Sequence, residues 1–315
     1  MSRHWDYRIL DAIKGDATHT STVFKAEVVP HENVSNPPKW ALIKTASPED
    51  ADATENLGCE CTSYRLPGVS SAAWFREMYD VIDDMTIAVE WLDTTLAEVK
   101  YQPDMRTYAL IKTFLKAALT SCVVLDGPRY HPLMNPDYKP ANILLSGVKT
   151  SSITAKVGDL GLVFPASDRI NVQPLAMRAP EVFLGQVCTE PSQVWAIAAM
   201  VLSWIKTGVL GKSDSPHPLV NAAWCMAKIK RLFPDWEIPT PEEVERPTLQ
   251  ATVKAARRMS REEEPILAIL QKVEMPQQLR DLLRLMLVTN PDKRPSASTV
   301  LASAEFRAFE KLVGM

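Results

Sequence analysis

The stretch Asn135-Pro-Asp-Tyr-Lys-Pro-Ala-Asn-Ile-Leu-Leu145, followed by Lys156-Val-Gly-Asp-Leu-Gly161, constrains this chain more than any other. It reads as a loop, short strands and a second loop. It carries a carboxylate (Asp137), a cation (Lys139), an amide (Asn142) and a second carboxylate (Asp159). Such a set can hold a phosphate, two magnesium ions and an attacking hydroxyl together. Phosphoryl transfer asks little covalent chemistry of a protein, so positioning and charge neutralisation supply most of the catalysis.

The bulk properties exclude other classes. A chain of 315 residues has room for two domains or one large two-lobed domain. A formal net charge of -3 gives no basic face for nucleic acid. The five cysteines are odd in number, and Cys59-Glu-Cys61 is the only close pair. A structural role in a reducing compartment is expected for all of them: the cytoplasm, with the nucleus open as a second location. Met1-Ser-Arg-His-Trp-Asp6 lacks the apolar core of a secretory signal. The apolar run Val194–Ile205 is too short to cross a bilayer and reads as a buried helix, so no membrane partner is expected.

Along the chain, the first ninety or so residues read mostly as strands. Thr22-Val-Phe-Lys-Ala-Glu-Val-Val29 and Trp40-Ala-Leu-Ile-Lys44 are β-rich, with a turn at Pro37-Pro38. A helix is expected from Ser47, as N-cap, toward Leu66, ending at Pro67-Gly68 and weakened by Gly58. Tyr79–Ile82 and Met85–Glu90 read as a strand pair joined at Asp83-Asp84. Tyr108, Ile111, Leu115, Leu119 and Val123 recur at helical spacing, and Gly127-Pro128 ends that helix. The remainder after Asp159 is helical. Arg257–Glu264 is a mixed charge run that reads as a solvated helix face.

Here the residues reach a family. Asp137-Tyr-Lys-Pro-Ala-Asn142 resembles the catalytic loop of eukaryotic protein kinases, Asp159-Leu-Gly161 their magnesium-binding DFG motif, and Ala179-Pro-Glu181 their APE motif. Ala41-Leu-Ile-Lys44 stands where the family has its VAIK strand. Trp195 stands in its DxW helix, and Arg294 matches the late arginine that pairs with the APE glutamate. Any one triplet is weak; the ordered series is strong. The resemblance implies an α+β, bilobal fold. A small β-rich N-lobe would take about residues 1–90, a hinge about 90–94 and a mainly helical C-lobe about 95–315.

The resemblance also implies roles. Asp137 would accept or orient the substrate hydroxyl, and Lys139 would neutralise the transferring phosphoryl group. Asn142 and Asp159 would hold Mg²⁺, and Lys44 would grip the phosphates of ATP. Glu60 would orient Lys44, with Glu55 as the alternative. Glu90 to Leu92 would receive adenine through backbone hydrogen bonds, with Val23 and Leu144 completing the nucleotide site. Lysine two residues after the catalytic aspartate resembles the serine/threonine type, so a protein hydroxyl is the expected acceptor. Val172–Glu181 resembles the activation segment of SR-protein kinases and their CMGC relatives.

Four departures keep a second reading open, a kinase-like scaffold with weak or no turnover. The glycine positions of the nucleotide loop fall on Asp16, Thr18 and Ser21. Leu42 stands where an alanine usually roofs the adenine. The histidine and arginine before the catalytic aspartate are Asn135 and Pro136, and the DxW aspartate is Gln193. A third reading, a small-molecule phosphotransferase, is opposed by the Ala179-Pro-Glu181 triplet and Arg294. The acids between Asp235 and Glu245 admit either a solvated loop or a dock for basic substrates. Pro136 also removes the arginine that binds an activation-loop phosphate, and Ser167 is the only hydroxyl side chain between Asp159 and Glu181. Ser167→Ala is therefore expected to leave turnover unchanged in a radiolabel transfer assay. A sharp drop would contradict this.

Overall fold

The computed structural model describes residues 5–13, 21–31, 36–127, 132–150, 152–166, 172–260 and 266–314. Its N-terminal part is an antiparallel sheet with the order β1-β2-β3-β5-β4. The strands are β1 (Trp5–Ile13), β2 (Thr22–Pro30), β3 (Trp40–Thr45), β4 (Met78–Asp83) and β5 (Thr86–Glu90). Between β3 and β4 run α1 (Ala51–Arg65) and the single turn α2 (Pro67–Ser70). β3 lies between β2 and β5 with Ala41, Leu42, Ile43 and Lys44 all buried, and Lys44 registers against Val23 and Ile87. An apolar run that reads as a strand core thus ends in a cation delivered to the interior.

The N-cap of α1 is Asp50, whose side chain accepts from the Ala53 N–H at 2.9 Å. It is not Ser47. The Ser47 carbonyl instead accepts from the Asp50 N–H, closing a turn one step ahead of the helix. A carboxylate at the cap also meets the positive end of the helix dipole, which a hydroxyl cannot do as well. The helix runs straight through Gly58, where an added Cβ would meet nothing within 4 Å.

Beyond β5 the chain becomes mainly helical. A three-stranded sheet, β6 (Thr94–Thr95), β8 (Ile143–Ser146) and β9 (Thr154–Val157), sits beside a short ladder of β7 (Leu133–Met134) with β10 (Phe164–Pro165). The long helix α3 (Met105–Leu125) precedes them, and α4 (Pro180–Phe183) and α5 (Glu190–Ile205) follow. Asp104 caps α3 by accepting from the Thr107 N–H at 2.7 Å. Tyr108, Ile111, Leu115 and Leu119 face inward, while Val123 is exposed. By length and composition alone α3 could cross a membrane, yet its contacts run to β9, α5 and the helix Ala297–Ala302. Residues 192–202 of α5 are buried without a break, so this helix is the axis of the larger part. Arg257–Met259 end the helix Pro247–Met259, with Arg257 donating to the Ile238 carbonyl; the rest of that charge run lies outside the described residues.

One buried ion pair ties the far end together. Arg294 meets Glu181 in two parallel bonds, 2.7 and 2.9 Å, and lies over the Trp195 ring. Its remaining donors go to the carbonyls of Val288, Thr289 and Pro191, and Ser192 donates to Glu181. A buried carboxylate that accepts three hydrogen bonds, two of them from one guanidinium, is stable only while its cation remains. Arg294→Ala is expected to cost roughly 3–5 kcal/mol in urea unfolding. A loss below about 1 kcal/mol would show the pair to be dispensable.

Candidate active site

Three elements deliver charge to one cleft. β3 brings Lys44, α1 brings Glu60, and the loop after β9 brings Asp159. The Lys44 ammonium lies 2.5 Å from Glu60 Oε2 and 2.9 Å from Asp159 Oδ1. Of the two glutamates open on the sequence, Glu60 is the buried one that faces Lys44; Glu55 is exposed. Burial works against charge on Lys44, but Glu60 and Asp159 outweigh it and hold its pKa above the ordinary lysine value. Burial raises the Glu60 carboxyl while Lys44 pulls it back, and the ion pair keeps the proton on the amine.

Asp159 adopts φ +57°, in the left-handed region that only a few non-glycine residues tolerate. Asp is among them, and here the bond to Lys44 holds it. Gly158 precedes it for a steric reason. A Cβ there would stand 2.5 Å from Cδ1 of Leu144 on the neighbouring strand β8. Behind the loop, Leu160 is fully buried, and Cys59 of α1 donates to the Val163 carbonyl at 3.1 Å. The helix that supplies Glu60 thus also holds the segment that supplies Asp159. None of the five cysteines is in a disulfide.

The second cluster sits on the loop between β7 and β8. Lys139 Nζ lies 3.0 Å from Asp137 Oδ2. Asn142 Nδ2 donates both to that carboxylate, at 2.8 Å, and to the Asp137 carbonyl, at 2.9 Å. Both amide donors are spent on Asp137, so the amide oxygen is the atom offered to a cation. Burial raises the pKa of Asp137, against the opposing pull of Lys139.

The two residues before Asp137 have an unusual support. Asn135 Oδ1 accepts from the Asp137 N–H at 3.0 Å. The Asn135 N–H donates to Gln193 Oε1 of α5 at 2.8 Å, while Gln193 Nε2 points to Met134 Sδ. Pro136 has no N–H to give. A neutral amide therefore meets the single backbone donor that residues 135 and 136 offer, where a buried charge would be underused. Asn135 Nδ2 is buried with no hydrogen-bond partner among the described residues.

The cleft between these clusters has a volume of about 460 Å³. Ile13, Val23, Leu42, Leu92 and Leu144 form its apolar walls, and Lys44, Glu60, Asn142 and Asp159 its polar end. Asp137 and Lys139 lie just beyond Asn142. Of the expected nucleotide-loop positions, Asp16 and Thr18 fall outside the described residues, as does Ser167. Glu90 differs from a free hinge residue. Its carboxylate is bound by Lys156 at 2.7 and 2.9 Å, its N–H donates to the Glu77 carbonyl, and its own carbonyl accepts from Arg76 Nε at 2.7 Å. Nothing in the local sequence pattern marks Arg76 or Lys156 as a partner of Glu90: Arg76 reaches it beside the β4–β5 pairing, and Lys156 from the separate sheet that holds β9.

The donor set suits magnesium. Hard oxygen ligands, one carboxylate and one amide, leave the remaining positions to water and phosphate oxygens, as Mg²⁺ prefers. A buried ammonium nearby suits phosphate.

Residues 73–306 match the family model for the protein kinase domain. The chain belongs to that family. It is also similar to the probable cyclin-dependent kinase 8 of Dictyostelium discoideum, 27% identical over 285 residues, which is 84% of this chain and 74% of the relative. The five-stranded sheet and the larger helical part are the two lobes of the α+β kinase fold. The family match opens at residue 73, after α1. The meeting of Lys44 and Glu60 with Asp159 is thus a finding of the structure itself.

The loop mounting gives a direct test. Gln193→Met removes the acceptor at nearly constant volume and strands the Asn135 N–H. The expected cost is about 1–3 kcal/mol in chemical denaturation. An unchanged midpoint would mean that the bond carries no weight.

Proposed function

We propose that this kinase domain is active: it transfers the γ-phosphoryl group of ATP, with Mg²⁺, to serine or threonine hydroxyls of a protein substrate. The observation that carries this reading is the Lys44–Glu60–Asp159 bridge across the cleft, with Asp137, Lys139 and Asn142 beyond it. Every charged group that the chemistry needs is present and held by a partner. Bound Mg²⁺–ATP supplies the phosphoryl group and neutralises part of its charge. Lys44 would hold the α- and β-phosphates, and Asn142 and Asp159 the metal. Val23, Leu92 and Leu144 would enclose the base, with residues 90–94 acting as the hinge. Asp137 would take the hydroxyl proton, and Lys139, already beside it, would offset the charge developing there. Lysine at that place supports serine/threonine acceptors, as does the likeness to a cyclin-dependent kinase. The second reading, a binding scaffold, is favoured by Leu42 in the cleft wall and by the Arg76 bond to the Glu90 carbonyl.

The substrate is read less far. Of the acids between Asp235 and Glu245, Glu237 already pairs with Lys230, and Glu243 accepts from the Thr240 N–H. That leaves less free charge for docking a basic peptide.

Asp137→Asn is expected to lower phosphoryl transfer by at least about a hundredfold. The rise in melting temperature with Mg²⁺–ATP should persist, since ligand binding to the native state alone stabilises it. Binding without any Asp137-dependent transfer would favour the scaffold. The pH profile offers a second check. Asp137 must be ionised to take a proton, and its pKa lies above the usual carboxylate value. Turnover should therefore rise with pH through that raised value. The carboxyl's contribution to stability has the opposite sign: it is present below the ordinary aspartate pKa and is lost as pH rises. Lys139→Met removes the opposing pull, so the acid limb of kcat/KM should move to higher pH. A limb that stays in place would remove Asp137 from the role of base.

A further inference from the structure

The nucleotide cleft contains a cation that the phosphoryl-transfer chemistry does not use. Arg76 stands just before β4, its N–H fixed at 2.9 Å on the carbonyl of Val157, which ends β9 just before Asp159. Arg76 lines the cleft together with Trp91 and Leu92. Nε donates to the Glu90 carbonyl at 2.7 Å, and that carbonyl belongs to the edge proposed to receive the base. The four N–H donors on the terminal nitrogens find no hydrogen-bond partner among the described residues, and those nitrogens are not among the buried atoms. Glu60 lies close enough for the guanidinium charge to stabilise its carboxylate.

The base-facing edge therefore presents donors where a backbone carbonyl alone would present an acceptor. A 6-amino purine offers N–H donors at this edge and meets a carbonyl already bonded and a cation beside it. A 6-oxo purine offers a carbonyl oxygen, which a guanidinium binds by a charge-assisted hydrogen bond. We propose that Arg76 sets the base preference of this cleft, so that guanine and hypoxanthine nucleotides are accepted at least as well as ATP. The proposal rests on the reading of Glu90–Leu92 as the edge that receives the base.

The test is calorimetric titration of the whole chain with Mg²⁺ complexes of ATP, GTP and ITP, for the native protein, Arg76→Met and Arg76→Lys. Melting of each without nucleotide checks that it is folded. Methionine keeps the length of the side chain but has no donor. Native protein should bind GTP and ITP no more weakly than ATP. In Arg76→Met the ratio of dissociation constants should move toward ATP by about tenfold or more, the worth of one charge-assisted bond. Arg76→Lys, with a point charge and no planar fork, should fall between. A ratio unchanged by Arg76→Met, or moved toward GTP, overturns the proposal while leaving ATP binding intact. Failure of all three nucleotides to bind native protein and both folded variants overturns the nucleotide-site reading itself, and this proposal with it.

Discussion

Lys44 is the point at which the two lobes act on each other. A single ammonium, buried at the end of β3, is bonded to a glutamate from α1 and to an aspartate from the loop after β9. Neither Lys44 nor Glu60 could stay ionised there alone, because desolvating a charge without partners costs several kcal/mol. The position of α1 is thus part of the electrostatics of the site. The same helix grips the loop a second time through Cys59 and the Val163 carbonyl. Movement of α1 away from the sheet would therefore disturb both the cation and the backbone beyond Asp159.

The loop proposed to carry the chemistry, with Asp137, Lys139 and Asn142, is held by a different device. Its fixing depends on Asn135 and on Gln193 in the long buried helix α5. Proline at 136 leaves one fewer backbone donor to satisfy. A neutral acceptor then suffices, and Gln193 supplies one while touching Met134 with its other end. The residues before Asp137 and the residue beneath them fit one another as a unit. A charged acceptor at 193 would find one backbone donor here, the Asn135 N–H.

Much of this was legible in the sequence because short-range signals carried it. The spacing of Asp137, Asn142 and Asp159, the apolar run ending in Lys44, and the helical repeat from Tyr108 to Leu119 each lie within a window that one element can read. The start of α1 was misplaced by a few residues, since Ser47 and Asp50 are both good caps and only the fold decides between them. Long-range partners were out of reach for another reason. Arg76 and Lys156 meet Glu90 through the packing of separate elements, and no local pattern marks an arginine or lysine for such a meeting. Cys59 read as an inert structural residue, and its hydrogen bond to a loop some hundred positions on has no sequence signature.

The Glu90–Lys156 ion pair has a mechanical meaning. Glu90 ends the last strand of the small lobe that leads onward, and Lys156 lies on β9, in the sheet of the large lobe. Both side chains are mostly shielded from solvent, at 20% and 16% exposure, so salt screens the pair only in part. A pin placed there leaves the lobes free to rotate about it but resists their sliding past each other or drawing apart. Opening of the cleft would then be a pivot, with the largest travel at its mouth, near Ile13 and Val23, and the least at Glu90, the edge proposed to receive the base. In such a molecule, phosphate exchange and base exchange would meet different mechanical resistance.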